Sequence, residues 1–101
     1  MEFTITHEKT DQTGSFFVLN NNERLAYLSY TEKPAGVLQL THTFVSDALR
    51  GQKMASKVVE AAIAFARKNN KKLNPVCTYA IAWFEKHPHE NDLLVEANDR
   101  D

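Results

Sequence analysis

The sequence predicts one α+β domain, residues 1–101, built on a mixed, mostly antiparallel five-stranded sheet in the order β-β-β-β-α-β-α. Two observations lead to this fold class. In the first part of the chain, four short segments rich in β-branched and aromatic residues alternate with turn residues, as in an antiparallel meander. The apolar spacing then changes from two to about 3.6 residues, which indicates a helix, and a further strand and a short helix follow it.

Four strands are expected before the first helix. Asn20–Asn22 indicates a hairpin because asparagine tolerates positive φ, and Lys33–Gly36 combines proline with glycine in a second turn. The predicted strands are Phe3–His7, Ser15–Leu19, Leu25–Thr31 and Val37–Val45. Regular alternation along the fourth strand would place four side chains on one face, namely Leu38, Leu40, His42 and Phe44.

The second part of the chain predicts a helical crossover. An apolar stripe with helical spacing begins at Met54 and stops at two asparagines. A fifth strand over Leu73–Cys77 follows this helix and should lie parallel to the fourth. Because Pro75 has no N–H to donate, the ladder should be interrupted there. Thr78 is expected to cap a short second helix over Tyr79–His87.

Between the fourth strand and the long helix lies a basic, glycine-containing turn, Arg50–Ser56. The N–H groups at a helix N-terminus point outward, and the helix dipole favours negative charge there. Seven of the 12 Lys and Arg residues lie between Arg50 and Lys72, against one acidic residue, Glu60. The turn is therefore predicted to bind phosphate groups, with a solvated cationic helix face as the alternative interpretation.

The stretch Leu40–Ser56, LTHTFVSDALRGQKMAS, resembles the acetyl-CoA motif of the GNAT superfamily of N-acetyltransferases. The wider pattern resembles a minimal single-domain subgroup of that superfamily. The subgroup has an HTEV-like strand end, RGxGxA at the helix start, a cysteine shortly after a proline, and a last helix that ends in His-Pro. The corresponding segments here are His42–Val45, Arg50–Ala55, Pro75–Cys77 and Trp83–Pro88.

The resemblance implies a GNAT-like acyl-CoA N-acyltransferase fold and an enzyme that moves an acetyl group from acetyl-CoA to an unidentified amine. The backbone of Phe44 and Val45 would hold the pantetheine as an added strand is held. The pyrophosphate would lie against the basic turn and the first helical turn: Arg50, Gly51, Gln52, Lys53, Met54, Ala55 and Ser56. Two residues depart from the subgroup. Lys53, expected in helical φ/ψ, replaces the second glycine, and Phe44 replaces a glutamate that could serve as general base.

Three side chains are candidates for the chemistry. Cys77 is a candidate nucleophile that would carry the acetyl group as a thioester, with a buried structural cysteine as the alternative. His42 is a candidate base for the amine or for Cys77, and the alternative is a half-buried imidazole bonded to a neighbouring strand. Tyr79 is a candidate proton donor to the leaving CoA thiolate, or it stacks on the pantetheine, or it only packs.

A non-catalytic acyl-CoA-binding module is the alternative function, since Phe44 removes a carboxylate and no substrate-binding insertion is present. The lone Cys77 forms no cysteine metal cluster and fits a reducing compartment, so we expect no metal and a cytoplasmic protein. Net charge is −1 and the aromatic residues do not interleave with the basic ones, so no nucleic acid is expected. No apolar run predicts a membrane span or a signal peptide, and we expect a monomer or weak dimer.

Overall fold

The computed structural model describes residues 4–49, 51 and 53–95. The strands lie in chain order across one sheet, and every neighbouring pair is antiparallel except the parallel pair of the fourth and fifth. The predicted mixed sheet and the order of its elements are thus confirmed. The strands are β1 Thr6–Lys9, β2 Thr13–Asn20, β3 Glu23–Glu32, β4 Val37–Val45 and β5 Lys72–Pro75. The helices are α1 Met54–Lys68 and α2 Thr78–Lys86, with 3-10 turns at Asp47–Leu49 and Pro88–Leu93.

The boundaries follow local chemistry. Asn21 and Asn22 have φ angles of 54° and 68°, so the asparagine hairpin between β2 and β3 is confirmed. The fifth strand stops at Pro75, two residues earlier than predicted, and the chain enters α2 at once. Cys77 therefore occupies the N-cap position, and the expectation that Thr78 caps this helix is wrong.

The core lies between one face of the sheet and α1. The apolar stripe of α1 is buried as its spacing predicts, through Val58, Val59, Ala62, Ile63 and Ala66. It packs against side chains of four strands: Phe16, Leu28, Tyr30, Leu38, Leu40 and Leu73. Burying one such leucine contributes about 1.5–3 kcal/mol. Truncating the fully buried Leu40 to alanine would therefore cost about 2–5 kcal/mol, because a cavity would remain.

A β-bulge interrupts β4 at Thr41. The register with β3 pairs His42 with Ser29 and then Leu40 with Tyr30, so Thr41 is the extra residue. Its hydroxyl donates to the carbonyl of Ser29 at 3.2 Å, which supplies a polar partner inside the bulge. An extra residue in one strand shifts the alternation of side chains by one position and bends that strand.

The bulge corrects the predicted faces of β4. Leu38 and Leu40 are fully buried towards α1, but His42 and Phe44 lie on the opposite face. There the ring of Phe44 stacks on Tyr27 with centroids 5.6 Å apart, and Phe44 stays 45% exposed. The prediction that all four residues share one face was wrong because it assumed an uninterrupted period of two.

Polar contacts fix the position at which the pairing of β4 and β5 begins. Glu32 accepts a hydrogen bond from Lys71 at 2.7 Å and one from the N–H of Gly36 at 3.0 Å, with Lys9 at 3.8 Å. The Lys71 hydrogen bond is the main reason that the pKa of the Glu32 carboxyl lies below its ordinary value. The N–H of Lys72 donates to the carbonyl of Gly36 at 2.8 Å, so β5 starts at a fixed point on the turn before β4.

Neither helix in the described part of the chain has the length and apolarity that a membrane span requires.

Candidate active site

The parallel strands β4 and β5 pair along only part of their length. Four register pairs run from Val37 with Lys72 to Leu40 with Pro75. The next two N–H groups, of Val76 and Cys77, both donate to the carbonyl of Leu40 at 3.0 Å. Since Pro75 offers no N–H and the chain then turns into α2, pairing ends here, as the sequence predicted.

This early end opens a cleft. Residues 41–45 of β4 have no strand partner on their β5 side among the described residues, and we call the gap between them and the start of α2 the open cleft. An unpaired strand edge presents backbone N–H and C=O groups that an extended ligand can bind as an added strand does. The open cleft therefore suits a narrow chain that carries its own amide groups.

Cys77 lies at the mouth of the open cleft, at the N-cap of α2, where a helix dipole favours negative charge. Its Sγ lies 3.2 Å from the Oγ1 of Thr43, and the side chain is partly exposed. Sequence reasoning missed Thr43. With the alternation shifted at Thr41, Thr43 rather than His42 points to the side of the sheet where Cys77 lies.

The structure does not bring His42 and Cys77 together. Neighbouring residues of a strand point to opposite faces, and Thr43 contacts Cys77, so His42 points away from it. His42 is exposed, and the expectation of a half-buried imidazole is wrong. Its use as a base for an amine that approaches from the outer face of the sheet stays a prediction.

Tyr79 lies in the first turn of α2 and is 37% exposed. Burial, with a smaller contribution from the Glu60 carboxylate, raises the pKa of its phenol above the ordinary 10. The hydroxyl is therefore protonated at neutral pH, as a proton donor must be. Its catalytic role stays a prediction.

The turn before α1 has a backbone that glycine favours. Gly51 has φ +84°, and a Cβ built there would meet no atom within 4 Å. Lys53, the N-cap of α1, has φ 55° and ψ 33°, so the expectation of helical φ/ψ for it is wrong. A glycine suits this position because a side chain strains the left-handed region. Arg50 and Gln52 lie outside the described residues.

The first turn of α1 offers backbone donors. The N–H of Lys57 donates to the carbonyl of Lys53 at 3.2 Å, and the helical N–H groups before it have no acceptor among the described residues. Those groups belong to Met54, Ala55 and Ser56.

The side chains of this turn are mostly engaged elsewhere. Met54 is buried, and the Ser56 hydroxyl donates to Glu60 at 3.2 Å and accepts from Trp83 at 2.8 Å. At the predicted pantetheine contact, the side chain of Phe44 lies on the face of the sheet away from α1. The side chain of Val45 packs beside a small apolar cluster. At these four residues, only the backbone is available to a ligand in the cleft.

Comparison with known proteins places these features in a family. Residues 15–93 match the sequence model of the family described as GCN5-related N-acetyl-transferase. No curated protein matches the chain. The solution structure of a GCN5-like protein from Staphylococcus aureus is 27% identical, with a TM-score of 0.69 and 93% of each chain covered.

Two more distant structures show the same fold. A ribosomal-protein-alanine N-acetyltransferase from Brucella melitensis is 12% identical, with a TM-score of 0.60, over 87% of this chain and 65% of that one. An acetyltransferase from Bacillus anthracis, solved with acetyl coenzyme A, is 11% identical, with a TM-score of 0.58, over 77% and 47%. The chain thus spans about half to two thirds of these larger proteins.

Proposed function

Since the chain belongs to the GCN5-related N-acetyl-transferase family, we propose that it transfers the acetyl group of acetyl-CoA to an amine, directly or through Cys77. The observation that carries the proposal is the open cleft with Cys77 at its mouth. The unpaired edge of β4 lies beside the thiol of Cys77 at the N-terminus of α2. The glycine-containing turn before α1 is of the kind that can bind a phosphate group.

The chain's own groups fit acetyl-CoA as cosubstrate. The backbone of Phe44 and Val45 would bind the two amides of the pantetheine along the open edge. The pyrophosphate would lie on the turn at Gly51 and on the first N–H groups of α1, because helix N-terminal N–H groups favour an anion and a Cβ built at Gly51 meets no atom within 4 Å. Arg50 and Gln52 belong to the same proposed site by their place in the motif.

In the covalent route, Cys77 accepts the acetyl group first. Its thiol loses a proton, the sulfur bonds to the acetyl carbonyl carbon, and the CoA thiolate leaves and takes up a proton. The amine then attacks the acetyl-cysteine, the new C–N bond replaces the C–S bond, and Cys77 regains its thiol as the nitrogen loses a proton. The Thr43 hydroxyl supports this route, because a hydroxyl within hydrogen-bond distance can donate to the thiolate.

In the direct route, the amine attacks acetyl-CoA without an enzyme intermediate. His42 would accept the proton from an amine on the outer face of the sheet, and Tyr79 would donate one to the leaving thiolate. The work of the protein would then be positioning of the two substrates.

A non-catalytic acyl-CoA-binding module is the second candidate. Among the described residues no carboxylate or imidazole is hydrogen-bonded to Cys77, and Phe44 occupies the place where the related subgroup has a carboxylate. Such a module would bind acetyl-CoA through the same groups and leave it intact.

Intact-mass measurement separates these candidates. The protein is incubated with acetyl-CoA alone, beside Cys77→Ala and Cys77→Ser variants. An acetyl adduct on the wild-type chain that is absent from Cys77→Ala supports the covalent route. Release of CoA with a panel of amines, without an adduct and unchanged in Cys77→Ala, supports the direct route. If acetyl-CoA binds but neither adduct nor release is seen, the enzyme proposal is wrong.

A further inference from the structure

Trp83 connects α2 to the start of α1. Its indole Nε1–H donates to the hydroxyl of Ser56 at 2.8 Å. Ser56 lies in the first turn of α1, and Trp83 lies in the helix that Cys77 caps. This is the only side-chain hydrogen bond between α1 and α2, and the structure describes both helices in full. A single polar contact therefore joins the helix of the proposed phosphate turn to the helix of the thiol.

The ring of Trp83 is held by its own neighbours. Only 6% of this residue is exposed. The imidazole of His87 stacks on the indole with centroids 3.8 Å apart, and its Nδ1–H donates to the carbonyl of Trp83 at 2.7 Å. The ring of Phe84 packs edge-on at 5.1 Å. These contacts hold the indole in the orientation that directs its N–H to Ser56.

The hydroxyl of Ser56 is arranged to accept this hydrogen bond. It donates its own proton to the carboxylate of Glu60 at 3.2 Å, within the same helix. A hydroxyl has one proton to donate and lone pairs that accept, whereas an indole N–H only donates. Donation to a carboxylate also polarises the hydroxyl, which strengthens the bond that it accepts. The chain from Trp83 through Ser56 to Glu60 thus depends on the hydroxyl at position 56.

The relative position of the two helices matters because the proposed acetyl-CoA site is divided between them. The pyrophosphate would lie at Gly51 and the start of α1, whereas Cys77 is the N-cap of α2. The β4–β5 ladder ends at Leu40, so it does not extend along the open cleft between these two parts. One acetyl-CoA molecule would have to span both. An error of about 1 Å in the placement of reacting groups can cost on the order of a hundredfold in rate.

We propose that Trp83 is a positioning residue for acetyl-CoA. The inference rests on the proposed function. The hydrogen bond to Ser56 holds α2 against the first turn of α1, at the separation that lets one acetyl-CoA molecule reach from the pyrophosphate turn to the thiol of Cys77. Trp83 does not contact the ligand in this role, because its ring is buried and its N–H is used by Ser56. Without this bond, each part of the site stays intact but their separation is no longer fixed.

The variant Trp83→Phe tests this role, because it keeps an aromatic ring and removes the N–H. Calorimetric titration uses acetyl-CoA and, separately, ADP, which carries a pyrophosphate but no pantetheine. Acetyl-CoA should bind about fivefold more weakly, the equivalent of one hydrogen bond, whereas ADP affinity and the rate of Cys77 with a small disulfide reagent should stay the same. Unchanged acetyl-CoA affinity in the folded variant, or an equal loss for both ligands, would overturn the proposal.

Ser56→Ala breaks the same hydrogen bond from the other side and decides the question if Trp83→Phe does not fold. It keeps the backbone N–H of residue 56 and should reproduce the loss of acetyl-CoA affinity. Because the two side chains act through one bond, the double variant should bind no more weakly than either single variant. Ser56→Thr retains a hydroxyl and should bind as the wild type does. Losses that add in the double variant would contradict a shared role.

A third variant, Val59→Ala, separates loss of position from loss of stability. Val59 is fully buried where α1 packs on the sheet, away from the contact with Trp83. Its truncation should lower the melting temperature but leave acetyl-CoA affinity unchanged. If Val59→Ala weakens acetyl-CoA binding as much as Trp83→Phe does, Trp83 contributes only to the stability of the fold.

Separate readouts distinguish this inference from the proposed function. Acetyl transfer is judged on the wild-type chain, by the Cys77 adduct or the release of CoA. The role of Trp83 is judged by the ratio of acetyl-CoA affinities between the wild type and the variants. A wild-type chain that transfers acetyl while Trp83→Phe binds equally well rejects the positioning role alone. A chain that binds acetyl-CoA without reacting rejects acetyl transfer, and the same ratio still decides the role of Trp83. A wild-type chain that does not bind acetyl-CoA rejects both.

Discussion

The two halves of β4 lie in one strand but have opposite surroundings. The first half, Val37–Leu40, is paired on both sides, and its inward leucines are fully buried. The second half, residues 41–45, is paired with β3 only, and two of its side chains are exposed. The half with two partners holds the fold together. The half with one partner leaves backbone groups unpaired. We call Val37–Leu40 the stabilising half and residues 41–45, the proposed binding edge for a ligand, the binding half.

The division between the halves has a cause on each strand. On β5, Pro75 ends the ladder because it has no N–H. On β4, Thr41 forms a bulge at the next residue after the last register pair, and a bulge bends its strand. Both features fall at the level of Leu40, so the boundary between the stabilising half and the binding half is sharp.

The largest expected effect is on ligand binding, at the turn that leads from the binding half to α1. Gly51→Glu should weaken acetyl-CoA binding on the order of a hundredfold, because it adds a Cβ and a negative charge where the pyrophosphate is proposed to lie. Calorimetric titration with acetyl-CoA measures it. Gly36→Glu is the matched control, since Gly36 also has a positive φ of 86° and open space around it, but lies at the other end of β4. Equal loss in both variants would show that backbone strain, not the ligand, causes the effect.

The next effect should be on stability alone, at the polar contacts that fix the start of the stabilising half. Glu32→Gln should lower the free energy of unfolding by about 1–2 kcal/mol, because it leaves Lys71 without its anion, while acetyl-CoA affinity stays the same. Urea denaturation measures this. The pKa of Glu32 is lowered in the folded protein, so its contribution is complete above the ordinary carboxyl pKa and is lost as pH falls through the lower folded value. An equal acid sensitivity in Glu32→Gln would contradict this assignment.

A smaller effect is expected at Thr43, the side chain that contacts Cys77. Thr43→Val removes the hydroxyl but keeps the shape, and it should slow the reaction of Cys77 with a disulfide reagent about fivefold, the equivalent of one hydrogen bond. Thr43→Ser retains the hydroxyl and should react at the wild-type rate. A serine variant as slow as the valine variant would mean that packing, and not the hydroxyl, determines the rate.

The smallest effect concerns the strained N-cap of α1. Lys53→Gly should stabilise the protein by up to about 1 kcal/mol in urea denaturation, because glycine adopts the left-handed conformation without a steric penalty. Lys53→Ala keeps the Cβ and should give no such gain. A destabilised glycine variant would show that the lysine side chain makes a stabilising contact that outweighs the strain.

The sequence predicted what depends on local patterns. The bounds of β4, the start of α1 at Met54 and the positive φ angles at Asn21 and Asn22 all follow from residue spacing or from one residue's conformational preference. Pro75 as the interruption of the ladder is of the same kind, because the missing N–H is a property of proline alone.

The features that could not be predicted depend on pairing between distant segments. A bulge at Thr41 is a property of the register between β3 and β4, and threonine is common in regular strands. The contact of Thr43 with Cys77 depends on that bulge, so alternation alone pointed to His42 instead. The left-handed φ of Lys53 was missed because lysine has no preference for that region, although the glycine of the related motif at this position was a usable signal.

Pro75 and Thr41 each contribute separately to the opening of the cleft. Two unrelated devices, one on each strand, separate the same pair of strands at the same level. A mutation that restored an N–H at position 75 would still face a bent β4, and loss of the bulge would still leave a strand that ends in proline. The opening of the cleft should therefore survive a single mutation at either position.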